Sequence, residues 1–223
     1  MTKYRTMILS FGVMLAFWAF LFHSLALATT FIVLLTVHEF GHYLVARKLG
    51  MNVSLPIFTP IGALINMREM PRDACQEALM AYGGPLAGTL ASVLALGVGT
   101  AVGSHAIVLG AQYGFFLNLF NLVPLSPLDG GRISMAIDRR MWVLGALLMA
   151  GYLFLQLASG IIDPFTLIIF FLIGRFAVED VRMRRAQAEH MPQYFAIGTP
   201  RRLAFAAAYI GLIGFLLFML AVL

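Results

Sequence analysis

Seven apolar runs, each near the length of a bilayer crossing, take up most of this chain: about 7–24, 27–47, 77–101, 104–123, 141–158, 162–178 and 203–223. A helix needs roughly 20 mostly apolar residues to cross the hydrocarbon core. The fifth and sixth runs are the shortest, so the expected count is six to seven transmembrane helices. Charged residues make up only 11% of the chain and hydrophobic ones 61%, whereas a soluble domain is about a quarter charged. No polar stretch is long enough for a separate soluble domain. The expectation is one membrane-embedded domain over residues 1–223. The opening Thr2-Lys3-Tyr4-Arg5 resembles the start of a signal peptide. Its apolar run continues past a normal signal core with no clear cleavage site, and reads as a retained first helix. A single cysteine, Cys75, excludes an internal disulfide framework and a cysteine metal cage.

The charges give an orientation. With the N-terminus inside, all 15 Lys and Arg residues fall on the inner side or at inner helix ends. Lys3 and Arg5 precede the first run. Arg47, Lys48, Arg68 and Arg72 follow the second, and Arg132, Arg139 and Arg140 follow the fourth. The remaining six, from Arg175 to Arg202, surround the loop before the last run. The outer turns near His23, His105 and Asp163 have none. Excess Lys and Arg in cytoplasmic loops is the usual topological signal. It points to a cell (cytoplasmic) membrane protein with a cytosolic N-terminus, and it accounts for the net charge of +5 without nucleic acid.

Two inner segments differ from plain loops. Residues 52–70 are rich in β-branched residues and are interrupted at Thr59-Pro60-Ile61-Gly62, which suggests a small hairpin between spans two and three. The segment reads either as a linker resting on the membrane surface or as a sheet edge near a site. Residues 181–202 are polar and Arg-rich, and read as a cytosolic connector.

The second run contains His38-Glu39-Phe40-Gly41-His42. On a helix, residues four apart share a face, so both imidazoles can reach one metal, with Glu39 beside them as a base. Ionisable groups inside hydrocarbon are costly and mark function by default. His38 lies ten residues before Lys48, so about 15 Å from the inner end. The site is therefore within the membrane, nearer the cytosolic side.

Zinc takes three protein ligands in a catalytic site. Of the ten acidic residues, most lie in basic loops or on the outer side, and Asp129 stands apart. It follows an apolar span and a segment broken by Pro124 and Pro127. Broken backbone at membrane depth is tolerated where it lines a cavity, although a simple helix-ending turn gives the same pattern. Asn121, eight residues earlier, reads either as a local cap or as a group that holds substrate or an oxyanion. Asn118 reads as a helix–helix hydrogen bond. Gly83-Gly84-Pro85-Leu86-Ala87-Gly88 supplies small residues for close packing of helices.

Three segments together resemble the site-2 protease family of intramembrane metalloproteases: His38 to His42, Gly84-Pro85-Leu86, and Asn121-Leu122-Val123-Pro124 through Leu128-Asp129-Gly130-Gly131-Arg132. The match covers roughly residues 30–135, and the catalytic core is placed at about 27–135. The resemblance implies one zinc ion held by His38, His42 and Asp129, with Glu39 as general base and Asn121 as helper. It implies a membrane-associated hairpin, here Asn52 to Met67, that aligns the unwound substrate, with Gly62, Ala63, Leu64 and Asn66 as substrate contacts. Family members cleave transmembrane segments of membrane-tethered proteins. Two departures stand out. Members often carry Asn or Ser where this chain has Gly88, and the usual glycine pair of the hairpin is Gly62-Ala63 here.

The expected fold is thus an all-α multi-pass membrane protein with a small membrane-associated β-hairpin. The expected partners are a transmembrane protein substrate and the lipid bilayer, and a regulatory membrane partner is left open. Two competing functions remain. A metal or proton transporter would need polar residues along a path to both faces, and the outer halves hold little beyond His23, His105 and Asp163. A catalytically inactive homologue that binds membrane clients would not need the intact Glu39.

Overall fold

The computed structural model describes residues 2–54, 57–59, 62–64, 70–160 and 164–223. Among the described residues there are eight α-helices: α1 (Thr2–Phe22), α2 (Leu25–Lys48), α3 (Ala74–Ala101), α4 (His105–Asn121), α5 (Asp129–Ile137), α6 (Trp142–Ala158), α7 (Pro164–His190) and α8 (Thr199–Val222). Single 3-10 turns precede α6 and α8.

The expected architecture needs correcting. Among the described residues, four helical segments are long and apolar enough to cross a membrane: Leu25–Lys48, Ala74–Ala101, Arg139–Ala158 and Thr199–Val222. The apolar part of α1, Ile8–Phe22, is shorter. At 17 residues, α4 is about 25 Å long, short of the roughly 30 Å core. Charge is what disqualifies α7: from Arg175 onward it also carries Glu179, Asp180, Arg182, Arg184, Arg185 and Glu189. The fold is also helical in its architecture: β structure among the described residues amounts to one minimal strand pair rather than the hairpin expected over 52–67. Pairing between α2 and α3 is confined to two three-residue strands, Ile57–Thr59 (β1) and Gly62–Leu64 (β2), antiparallel with Phe58 opposite Ala63. That length is too short for an independent sheet.

Local chemistry sets the helix ends. Ser24 caps α2, its hydroxyl accepting from the Leu27 N–H at 3.2 Å. Arg47 and Lys48 occupy its last turn, where cations suit the helix dipole. Asp73 caps α3 by accepting from the Gln76 N–H at 2.7 Å, and the Gln76 carbonyl oxygen accepts from the Arg72 N–H at 2.8 Å. This reciprocal pattern is close to a capping box. The break after α4 is a series of tight turns through residues 122–128, and the Tyr209 hydroxyl donates to the Leu122 carbonyl. A Cβ at Gly130 would fall on that same Leu122 carbonyl, so glycine lets the turn fold back onto the start of α5.

Two compact units are distinguished. The first comprises residues 1–70, 82–119 and 212–223. Its core joins Met14, Phe31, Ile32 and Leu35, with Trp18, Phe22 and Leu117 packed against them. Trp18 lies 4.7 Å from Phe31 and 5.1 Å from Phe22, centroid to centroid, within the range of favourable aromatic pairs. The second comprises residues 71–81 and 120–211. Leu125, Met149, Ile173 and Ala177 form one of its clusters; Ala74, Tyr194 and Phe195 form another.

A buried ion network runs through the second unit. Arg184 donates both terminal nitrogens to the Glu77 carboxylate, at 2.7 and 3.1 Å, and its Nε to Asp180 at 2.7 Å. The Tyr194 hydroxyl donates to Glu77 at 2.8 Å. Burial, with the Glu77 carboxylate beside it, pushes that hydroxyl well above the ordinary tyrosine range. The network ties α7 and the 192–195 turn to the first turn of α3.

Candidate metal centre

His38 and His42 sit one turn apart on α2, and both are buried. Their Nε2 atoms face each other at 3.2 Å. Two zinc ligands at about 2.0–2.1 Å and a tetrahedral angle lie roughly 3.3–3.4 Å apart. The observed spacing is therefore close to one edge of a zinc tetrahedron.

The tautomer of His38 follows from its neighbours. Asn118, on α4, donates its Nδ2 to the Gly114 carbonyl at 2.7 Å. That bond turns the amide so that Oδ1 faces His38, 2.8 Å from Nδ1. A carbonyl oxygen only accepts, so Nδ1 carries the proton and Nε2 presents a bare lone pair. This is the outer-shell arrangement that fixes metal-ligating histidines. With His38 Nε2 bare, the opposing His42 nitrogen either donates across 3.2 Å or shares a cation with it. Asn118 is 1% exposed, so bulk water does not compete for these bonds.

Glycines on α3 make room for both groups. A Cβ at Gly84 would fall on the His42 imidazole, and one at Gly88 would fall on the Asn118 amide. Gly83 and Gly41 are in close backbone approach in the same way, consistent with small residues at helix contacts in a bilayer. The departure at Gly88 thus has a physical counterpart: Asn118 fills the space that a larger side chain there would take.

Asp129 is the first residue of α5 and is buried. It belongs to the second unit, whereas His38 and His42 belong to the first. Two imidazoles and one carboxylate are a donor set that suits zinc. Glu39 follows His38 on α2 and is half-buried; Asn121 ends α4 and is half-buried. The backbone of Gly62, Ala63 and Leu64 forms β2, and Asn66 lies outside the described residues. Asn118, expected as a helix–helix hydrogen bond, makes one; what the sequence did not reveal is that the partner is His38, 80 residues away.

Comparison with known proteins fits this geometry. Residues 26–105 match the peptidase family M50. The chain is 32% identical over 126 residues to the zinc metalloprotease MJ0392 of Methanocaldococcus jannaschii, covering 54% of this chain and 35% of that protein. It is 35% identical over 113 residues to Rip3 of Mycobacterium tuberculosis, named as a zinc metalloprotease, covering 46% and 28%. It is 27% identical over 148 residues to a chloroplastic protein of Arabidopsis thaliana, named as the probable zinc metalloprotease EGY2, covering 46% and 27%. The chain thus spans about a third or less of the length of these relatives. Over residues 26–105 the chain is similar to peptidase family M50, and the relatives it matches are named as zinc metalloproteases.

Proposed function

We propose that this chain is an intramembrane zinc metalloprotease that hydrolyses peptide bonds in or near transmembrane segments of membrane-tethered proteins. The observation that carries the reading is the buried pair His38 and His42, Nε2 to Nε2 at 3.2 Å, on an apolar helix long enough to cross a membrane. The relatives named as zinc metalloproteases support it.

In this reading His38, His42 and Asp129 would hold one zinc ion, which would supply Lewis acidity when bound. Glu39 takes the proton of the attacking water and returns it to the leaving amine. Asn118 keeps the His38 lone pair aimed into the site. Asn121 holds the substrate or its developing oxyanion. Residues 62–64, together with Asn66, are assigned to substrate contact. Catalysis rests on a core of about 27–135 within a single membrane-embedded domain, and 181–202 serves as a cytosolic connector. The Arg and Lys distribution supports a cytoplasmic-membrane placement, a cytosolic N-terminus and a site opening toward the cytosolic side.

A cleavage assay in proteoliposomes tests the proposal. A single-span substrate is cut by the wild-type chain, chelation stops the cut, and added zinc restores it. Glu39→Gln binds zinc at wild-type stoichiometry and does not cut. Cleavage that survives chelation, or that proceeds at the wild-type rate in Glu39→Gln, defeats the assignment. Zinc flux across vesicles without cleavage establishes the transporter instead.

A further inference from the structure

A cavity of about 420 Å³ lies between α6 and α7. Its α7 wall recurs every three or four residues, from Phe170 through Ile173, Ala177 and Val181 to Arg182 and Arg185. On α6 the matching positions are Trp142, Ala146 and Met149, also one face of a helix. Leu125, from the turns that lead to Asp129, lines it as well. The groove is therefore apolar along most of its length and cationic at one end.

The two arginines differ from the others on α7. Arg175 is paired with Glu179, and Arg184 with Glu77 and Asp180. Arg182 and Arg185 point to the groove and are exposed, with no ion pair among the described residues. Phe170 to Arg185 is fifteen residues of helix, about 22 Å. One leaflet with its headgroups is about 20–22 Å thick. Trp142 sits at the cationic end, where indole rings favour the headgroup level.

We propose that this groove is a binding site for an anionic phospholipid, its acyl chain along Phe170, Ile173 and Met149 and its phosphate between Arg182 and Arg185. Two unpaired guanidiniums suit a phosphodiester bidentately, and basic pockets between membrane helices take such headgroups. A zwitterionic lipid such as phosphatidylcholine offers the same phosphodiester, but its ammonium offsets that charge beside the two guanidiniums and weakens the attraction. The assignment does not depend on the metal site. It nonetheless places a lipid against Leu125, four residues before Asp129, so occupancy bears on the segment that carries Asp129.

The test is lipid retention by the full chain, measured by native mass spectrometry during titration with phosphatidylglycerol or phosphatidylcholine. Phosphatidylglycerol is retained in preference to phosphatidylcholine. Arg182→Gln with Arg185→Gln weakens it roughly thirtyfold, from about 1 kcal/mol per cation. The Arg182→Lys/Arg185→Lys pair stays within a few-fold of wild type, and Arg175→Gln has no effect. Ala146→Trp fills the groove and removes retention with both arginines intact. Should the Gln pair not fold, the contrast between Ala146→Trp and the Lys pair decides the case. Equal retention of both lipids, an unaltered Gln pair, or unaltered Ala146→Trp overturns the site. So does displacement by inorganic phosphate alone, which would indicate a bare anion site. A photo-crosslinker at position 146 that captures polypeptide rather than lipid assigns the groove to a protein segment and equally overturns it.

Discussion

Replacing Asn118 by alanine should weaken zinc binding without touching a ligand. The substitution removes the acceptor of the His38 Nδ1–H, a bond of 2.8 Å. His38 is 2% exposed and Asn118 1%, so no solvent takes over the proton. Leaving a buried donor unmet costs about 1–3 kcal/mol. His38 relieves that cost by rotating or by moving its proton to Nε2, and either change withdraws the metal-facing lone pair. Loss of such an outer-shell partner typically reduces metal affinity 10–100-fold, equivalent to about 1.4–2.8 kcal/mol, so the two estimates agree. The assay is competition for zinc against a chromophoric chelator in detergent, which needs no substrate. Asn118→Asp offers a control, since its carboxylate still accepts from Nδ1–H while losing the donor to Gly114, and it should stay within a few-fold of wild type. A second arm uses Gly88, whose added Cβ would strike the Asn118 amide. Gly88→Ala alone should lower affinity, and most of that loss should vanish in the Asn118→Ala background, a coupling that a double-mutant cycle isolates. Wild-type affinity in Asn118→Ala would refute the positioning role. Equal losses in the Ala and Asp variants would show that packing matters and the hydrogen bond does not.

Other substitutions probe neighbouring parts of the structure. Gly84→Ala places a methyl on the His42 ring and should cost at least tenfold in zinc affinity by the same competition assay. Gly97→Ala, on the same helix with nothing within 4 Å of the added carbon, should be neutral or add about 0.5–1 kcal/mol of stability in denaturant titration. Glu77→Gln leaves Arg184 without its bidentate partner at 11–12% side-chain exposure. Asp180 still pairs with Arg184, so the loss stays below the roughly 3–5 kcal/mol of an uncompensated buried charge, read as a drop in melting temperature with zinc stoichiometry retained. Tyr194 keeps its proton in the fold to a higher pH than in the unfolded chain. Above roughly pH 10 the unfolded state alone loses that proton, so stability falls as pH rises; Tyr194→Phe should flatten that fall.

That His38 and His42 face each other was legible because the geometry is local: four residues on one helix bring them together wherever that helix packs. The burial of Asp129 at the start of α5 was legible more weakly, through the prolines before it and the glycines after it. Span counting failed for a physical reason. Hydropathy sums apolar residues without knowing where a helix stops. The run over 104–123 includes Leu122 and Val123, which lie in the turns after α4, and the run over 162–178 belongs to a helix that continues to His190 among charges. Glu77 and Arg184 are 107 residues apart, so no reading of spacing could pair them. Arg184 looks in sequence like its solvated neighbours Arg182 and Arg185.

Polar residues inside these helices nonetheless follow a rule that separates local from tertiary roles. A hydroxyl has one proton to place, and its own helix can take it. Thr36 donates to the Ile32 carbonyl, Thr89 to Pro85 and Ser92 to Gly88, each to the residue four before. Those side chains need nothing from another helix. A carboxamide has donors at one end and an acceptor at the other. Asn118 satisfies its donor in the same local way, at Gly114, but its oxygen faces outward. The helix interior has no free N–H to offer that oxygen, and in lipid an unmet acceptor is costly. The missing donor must therefore come from a second helix, and here it is the imidazole of His38. An Asn buried in an apolar helix thus indicates, from sequence alone, a cross-helix contact to a donor, even though only the fold reveals which one.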